Sequence, residues 1–252
     1  MATYRKFPYG SFLPNYANGL GISNNATTPL TKLDVAAGTM LDSTGTFQIG
    51  LDTAVTINAL NVGLNGIDTG ALAASTVYSV FIVCDPVSLQ PSGAMISLSA
   101  TAPYLPEGYG FFALVGYVTT DSGSHFLKGY WTAGNSTLRT FVYDAPIIAL
   151  NAGAQTSYTG VALTTFVPAV NNTIVSMYML FAANAAAGVA NLQGYNGTGD
   201  QVSLIAPVAT GVANTTEIVN VLAQLNSAAP SIKYKVNAGA LSLYVCGYQF
   251  GL

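Results

Sequence analysis

The single histidine of this 252-residue chain, His125, stands in the stretch DSGSHFLKGYW beside Asp121, Ser122 and Ser124. These are the letters of a serine hydrolase, in which a carboxylate orients a histidine base and the base activates a serine. The Gly-x-Ser-x-Gly elbow that would present such a nucleophile is missing around Ser122 and Ser124. His125 therefore reads as a polar residue of a hairpin loop. Without it, neither a triad elsewhere in the chain nor a histidine-based metal cluster can be assembled. Five aspartates, Asp34, Asp42, Asp52, Asp68 and Asp85, could pair only through folding, since no two stand at a motif spacing. A glycosidase-type carboxylate pair has no support in their positions.

The stretch GLNGIDTGALAASTVYSVFIVCD, residues 63–85, offers a glycine-rich loop of the kind that cradles phosphate. A Walker-type loop needs a lysine and a hydroxyl after the last glycine, with a helix behind them. Here Gly70 leads into ALAAST and then a β-branched run, and Gly63, Gly66 and Gly70 lack the dinucleotide spacing. The stretch reads as a tight turn at Asn65-Gly66 feeding a buried strand, with Asp68 bonding nearby backbone amides. No catalytic residue, metal site or cofactor is expected, and the chain reads as a non-enzyme.

The elements around these residues alternate short apolar runs with Gly, Pro, Asn, Asp and Ser, the pattern of an all-β chain built from sandwiches or barrels. VYSVFIVC (77–84), FALVGYVTT (112–120), IVSMYMLFA (174–182) and LSLYVCGYQ (241–249) are the strongest strand candidates. The segment NTTEIVNVLAQLN fits a capped helix through Asn214 and Glu217. It also alternates as a strand, which its β surroundings favour. The first thirty residues, with Pro8, Pro14 and Pro29, read as an extended arm, followed by a β-rich module over 31–144 and a second over 145–252. The boundary follows charge: residues 1–144 hold thirteen charged groups, and 145–252 hold four.

Charged residues are 7% of the chain and hydrophobic residues 51%. Ordinary domains carry roughly a quarter charged residues. A surface built from Ser, Thr, Asn and Gly resists association poorly, so a stable homo-oligomer is expected. The net charge of −3 and scattered basic residues exclude a nucleic-acid footprint. Cys84 and Cys246 each sit in an apolar run and read as buried thiols. No secretion signal is read behind Arg5 and Lys6, so the five Asn-x-Ser/Thr sites imply no glycan. TIVSMYMLFAANAAAGVANL, residues 173–192, is apolar enough to test as a membrane span, but Asn184 and Asn191 interrupt it and no basic residue flanks it. Membrane insertion is not expected. Aromatics crowd residues 104–131, and Tyr117, Tyr130 and Trp131 are candidates for stacking on a glycan.

NGLGIS (18–23), DVAAGTMLDST (34–44), GLNGIDTGALAASTVYSVFIVCDP (63–86) and YLPEGYGFFALVGYVTTDSG (104–123) together resemble a family of tailed-bacteriophage virion proteins, comprising head-fibre, capsid-decoration and tail-fibre proteins. TSYTGVALTTFVP and the closing LSLYVCGYQFGL resemble the terminal jelly-roll-like β-sandwiches of that family. The resemblance implies a homotrimer on the virion surface, made in the host cytoplasm, whose arm attaches it to other virion proteins. Tyr4, Arg5, Lys6, Phe7 and Tyr9 are the expected attachment residues. It implies equally a tail fibre or receptor-binding protein gripping host surface glycan. Relatives often carry arginines where GYGFFALVG has Ala113 and Leu114, so this surface is more apolar than theirs.

Overall fold

The computed structural model describes residues 5–6, 17–85, 92–132, 138–170, 173–184, 188–194, 202–205, 213–223 and 230–251. Every regular element among them is a β-strand, and the chain is all-β. It divides into two compact units, 1–141 with 251–252, and 142–250.

Unit 1 contains β1 (Arg5–Lys6), β2 (Asn18–Gly19), β3 (Ile22–Asn24), β4 (Lys32–Val35), β5 (Gly38–Leu41), β6 (Phe47–Leu51), β7 (Val55–Asn58), β8 (Val77–Cys84), β9 (Gly93–Ser97), β10 (Phe111–Thr119) and β11 (Gly129–Trp131). The division falls inside β12 (Leu138–Gly153). Three sheets result within the unit. One runs β1-β6-β5-β2, a second β10-β8-β9, and a third continues from the start of β12 through β11, β3 and β4 to β7. β8 is buried along almost its whole length, as its unbroken apolar run requires of a central strand covered on both faces. Phe81, Val83 and Met95 form a core cluster with Leu64, Leu105, Tyr109, Phe112 and Leu114 against it. In β10 the register shifts between Leu114 and Gly116. A Cβ at Gly116 would lie 2.9 Å from Trp131 Cε2, so the glycine lets the indole rest directly on this strand.

Residues 17–30 correct the expectation of an arm reaching Leu30. Ala17, Leu20 and Ile22 are fully or nearly fully buried, and β2 and β3 pair with β5 and β4. Arg139 fastens this segment from across the unit. Its Nε donates to Val115 O at 3.1 Å, Nη1 to Gly19 O at 3.1 Å and Nη2 to Leu20 O at 2.9 Å. Gly19 and Leu20 adopt left-handed backbone, with φ of 75° and 57°. The side chain is buried, and desolvation pulls its pKa down to about 10, which leaves it charged at neutral pH.

Unit 2 continues with the rest of β12 and adds β13 (Thr159–Ala162), β14 (Thr173–Ala183), β15 (Val189–Gly194), β16 (Val202–Ile205), β17 (Ala213–Ala223), β18 (Ser231–Val236) and β19 (Ala240–Gly251). Its strands form two sheets, β17-β14-β19-β12 and β13-β18-β15-β16. Strict alternation sets the core: Val175, Met177, Met179 and Phe181 of β14, Leu241, Leu243 and Val245 of β19, and Ile232, Tyr234 and Val236 of β18 are buried. β17 settles the helix-or-strand ambiguity of its sequence, since it pairs with β14 from Thr173↔Ala223 to Ala183↔Ala213. Such a ladder satisfies the backbone of both strands and overrides local helix propensity. The apolar stretch 173–192 contains β14 and the start of β15, and no helix among the described residues is long and apolar enough to cross a membrane.

Candidate interaction surface

The glycine-rich stretch is a knot of loops. Asn65 has φ 57°, and a Cβ at Gly66 would meet Asn61 O at 2.2 Å, so no other residue fits there. Past this turn the backbone runs beside β9. Ile96 N donates to Gly66 O at 3.0 Å, Asp68 N to Ile96 O at 2.8 Å, and Ala94 N to Asn65 Oδ1 at 3.0 Å.

Asp68, with its residue 7% exposed, joins this loop to the next. Its Oδ2 accepts from Ser97 Oγ at 2.5 Å and from Tyr104 N at 3.1 Å, while Oδ1 accepts from Thr69 N at 2.7 Å. Ser97 Oγ in turn accepts from Ser99 N, and Ser99 Oγ from Ala102 N. On these two pinned loops stand Leu60, Val62, Leu98 and Tyr104, exposed by 72, 66, 63 and 70%. Exposed leucines scattered singly are ordinary; these four large apolar side chains stand on two loops that Asp68 joins. Fully burying a leucine or valine gains about 1.5–3 kcal/mol, and loops already ordered lose little entropy when a partner docks.

The aromatics expected to stack on glycan are divided by strand alternation. In β11, Tyr130 points outward and is 48% exposed, while Trp131 points inward. Trp131 Nε1 donates to Tyr117 O at 3.1 Å, and its ring lies 5.3 Å from that of Phe141. Tyr117 is buried as well. Trp131 and Tyr117 are core residues and offer no face to a sugar, which corrects the three-residue stacking surface. Of the attachment residues, Arg5 and Lys6 form β1 against Gln48 and Phe47 of β6, and Tyr4, Phe7 and Tyr9 lie outside the described residues.

Of the residues that could do chemistry, the structure pairs His125 with Asp121. His125 Nδ1 lies 3.5 Å from Asp121 Oδ2 in an exposed turn. Asp121 accepts from the amides of Gly123 and His125, and chiefly the hydrogen bond from the His125 amide holds its carboxyl below the usual aspartate range. Asp42 accepts from the amides of Thr46 and Phe47, and Asp34 from Asn25 and Thr56. Among the described residues no group of three His, Cys, Asp or Glu could hold a metal ion. Cys84 and Cys246 are free thiols; Cys84 is buried and Cys246 partly so, and burial raises the pKa of both.

No protein-family profile matches the chain. No curated protein matches it either. Among solved structures it is similar to the VP2 subviral particle of infectious bursal disease virus, at 12% identity and a TM-score of 0.18 over 98% of this chain and 71% of that one. It is similar also to the Gx strain of the same virus, at 14% identity and a TM-score of 0.19 over the same shares. At TM-scores this low the likeness carries no argument, and function has to be read from the chain's own residues.

Proposed function

We propose that this chain is a non-enzymatic structural protein of a bacteriophage particle, a homotrimeric head fibre or capsid decoration protein held to the particle by its N-terminal residues. The observation that carries this reading is the set Leu60, Val62, Leu98 and Tyr104, presented on loops fixed by Asp68, in a chain only 7% charged. A rigid apolar surface with little surrounding charge is suited to a permanent neighbour. The phage-like sequence blocks in unit 1 and the jelly-roll-like blocks in unit 2 supply the particle context, and the trimer is the symmetry that family resemblance implies.

Light scattering of the purified chain at micromolar concentration tests the reading. A trimer is expected, and the double substitution Leu60→Ser, Tyr104→Ser should shift it toward monomer with the fold retained. A parent protein that is a stable monomer at that concentration would sink the proposal. For attachment, truncation belongs after residue 16, because Ala17 onward is packed into unit 1. Particles assembled with the truncated chain should lack it.

A further inference from the structure

The sheet β13-β18-β15-β16 has one apolar face and one polar face. Antiparallel register puts residues directly opposite each other on the same side of a sheet. Lys235 is thereby paired with Asn191, Lys233 with Gln193, and Asn191 with Ser203 on the far strand. Lys233 and Lys235 are the only basic residues between 142 and 252. Both stand on this face, on an inner strand of the sheet.

Beside them, polar atoms are buried without partners. Asn191 is 8% exposed and Gln193 7%. Asn191 Oδ1 and Tyr158 Oη are sealed from solvent and make no hydrogen bond among the described residues. Lys235 Nζ lies over the Tyr158 ring, 4.5 Å from its centroid, and Lys235 stands opposite Asn191 in the β15–β18 register. Buried polar atoms left unmatched are costly, and they occur where a ligand or water completes them.

We propose that this face of β18 and β15 binds an acidic polysaccharide, with Lys233 and Lys235 meeting its anionic groups and Asn191 and Tyr158 its hydroxyls. An amide both donates and accepts, as a sugar hydroxyl does, and the phenol can do the same. The lysine ammoniums supply charge complementarity to a carboxylate, sulfate or phosphate. Nucleic acid fits less well, because two lysines in a chain of net charge −3 neutralise too little of its backbone. Contact with the two sealed atoms requires side chains on this face to move aside as the ligand binds. The inference is independent of the assembly reading and uses none of the residues of the Asp68 loops.

Isothermal titration calorimetry on the full chain tests it with heparin as the sulfated probe, hyaluronate as the carboxylated one, dextran as the neutral one and poly-glutamate as an acidic peptide. Heparin or hyaluronate should bind, the preference between them naming the anion, and dextran should not. Lys235→Gln and Lys233→Gln should each weaken binding by about tenfold or more, with Lys235→Arg retaining most of it. Light scattering should give these variants the parent's oligomeric state, which separates failure here from failure of the assembly reading. Absence of binding to both acidic polysaccharides, binding unchanged by the glutamine substitutions, or poly-glutamate bound as tightly would overturn the proposal.

Discussion

Replacing Arg139 by methionine should loosen the N-terminal part of unit 1, because its guanidinium donates to carbonyls on three separate residues, Val115, Gly19 and Leu20. Methionine keeps an unbranched apolar stem in the same space and removes every donor. A buried acceptor deprived of its donor costs about 1–3 kcal/mol, and three acceptors are affected. Part of this is offset, since the substitution also removes a desolvated cation, the same desolvation that lowers its pKa to about 10. The net loss should be about 2–5 kcal/mol, a large part of the roughly 5–15 kcal/mol that stabilises a typical domain. Trp131 is the only tryptophan and is buried against β10, so its fluorescence during urea unfolding reports on the affected region. Hydrogen exchange at the Leu20 amide, which donates to Ala37 O at 3.2 Å, reports on the fastened segment itself. Arg139→Lys should recover little, since one ammonium cannot span three carbonyls in a planar fork. A loss within about 0.5 kcal/mol, the range of ordinary surface substitutions, together with unchanged Leu20 protection, would refute the reasoning.

Asp68→Ala removes the acceptor shared by Ser97 Oγ and Tyr104 N and should cost about 2–4 kcal/mol, with new proteolytic cleavage between Ser97 and Tyr104. A loop as resistant as the parent's would show that Asp68 is not what fixes it. Tyr117, whose phenol burial pushes up to about 12, keeps its proton in the folded state where an unfolded tyrosine loses it near pH ~10. Its contribution is therefore complete below about pH 10 and is lost as pH rises toward 12. Ultraviolet titration should show a tyrosine ionising near pH 12 that Tyr117→Phe removes, and a variant with the parent's alkaline unfolding profile would count against this assignment.

Much of the strand content was legible because it depends on local alternation. VYSVFIVC announces a strand covered on both faces, and IVSMYMLFA alternates as β14 does. What escaped depends on pairing between distant residues. The same alternation that marks β11 decides that Trp131 faces the core and Tyr130 does not, but sequence alone fixes no starting phase over three residues. Residues 17–30 have the composition of an arm, and Arg139, more than a hundred residues away, turns them into part of a unit. Loops have no period, so nothing in the pattern around Leu60, Val62, Leu98 and Tyr104 says which of them point outward. The i, i+2 spacing of Lys233 and Lys235 does place them on one face of a strand. Only the register with β15 brings Asn191 and Gln193 beside them.

Several of the chain's few charges are turned upon its own backbone, and this connects its loops to its surface. Asp42, Asp68 and Asp121 each accept from main-chain amides, and Arg139 donates to main-chain carbonyls. A carboxylate used in this way fixes a loop without a helix, a disulfide or an ion pair. In Asp42 and Asp68, both buried, it also takes an ionised group away from the solvent, where like charges on neighbouring copies would oppose contact. The loops held by Asp68 are those that carry the most exposed large apolar side chains among the described residues of unit 1. Rigidity and low surface charge therefore arise from the same residues: the first lowers the entropy lost on docking, and the second lowers the electrostatic cost of bringing copies together.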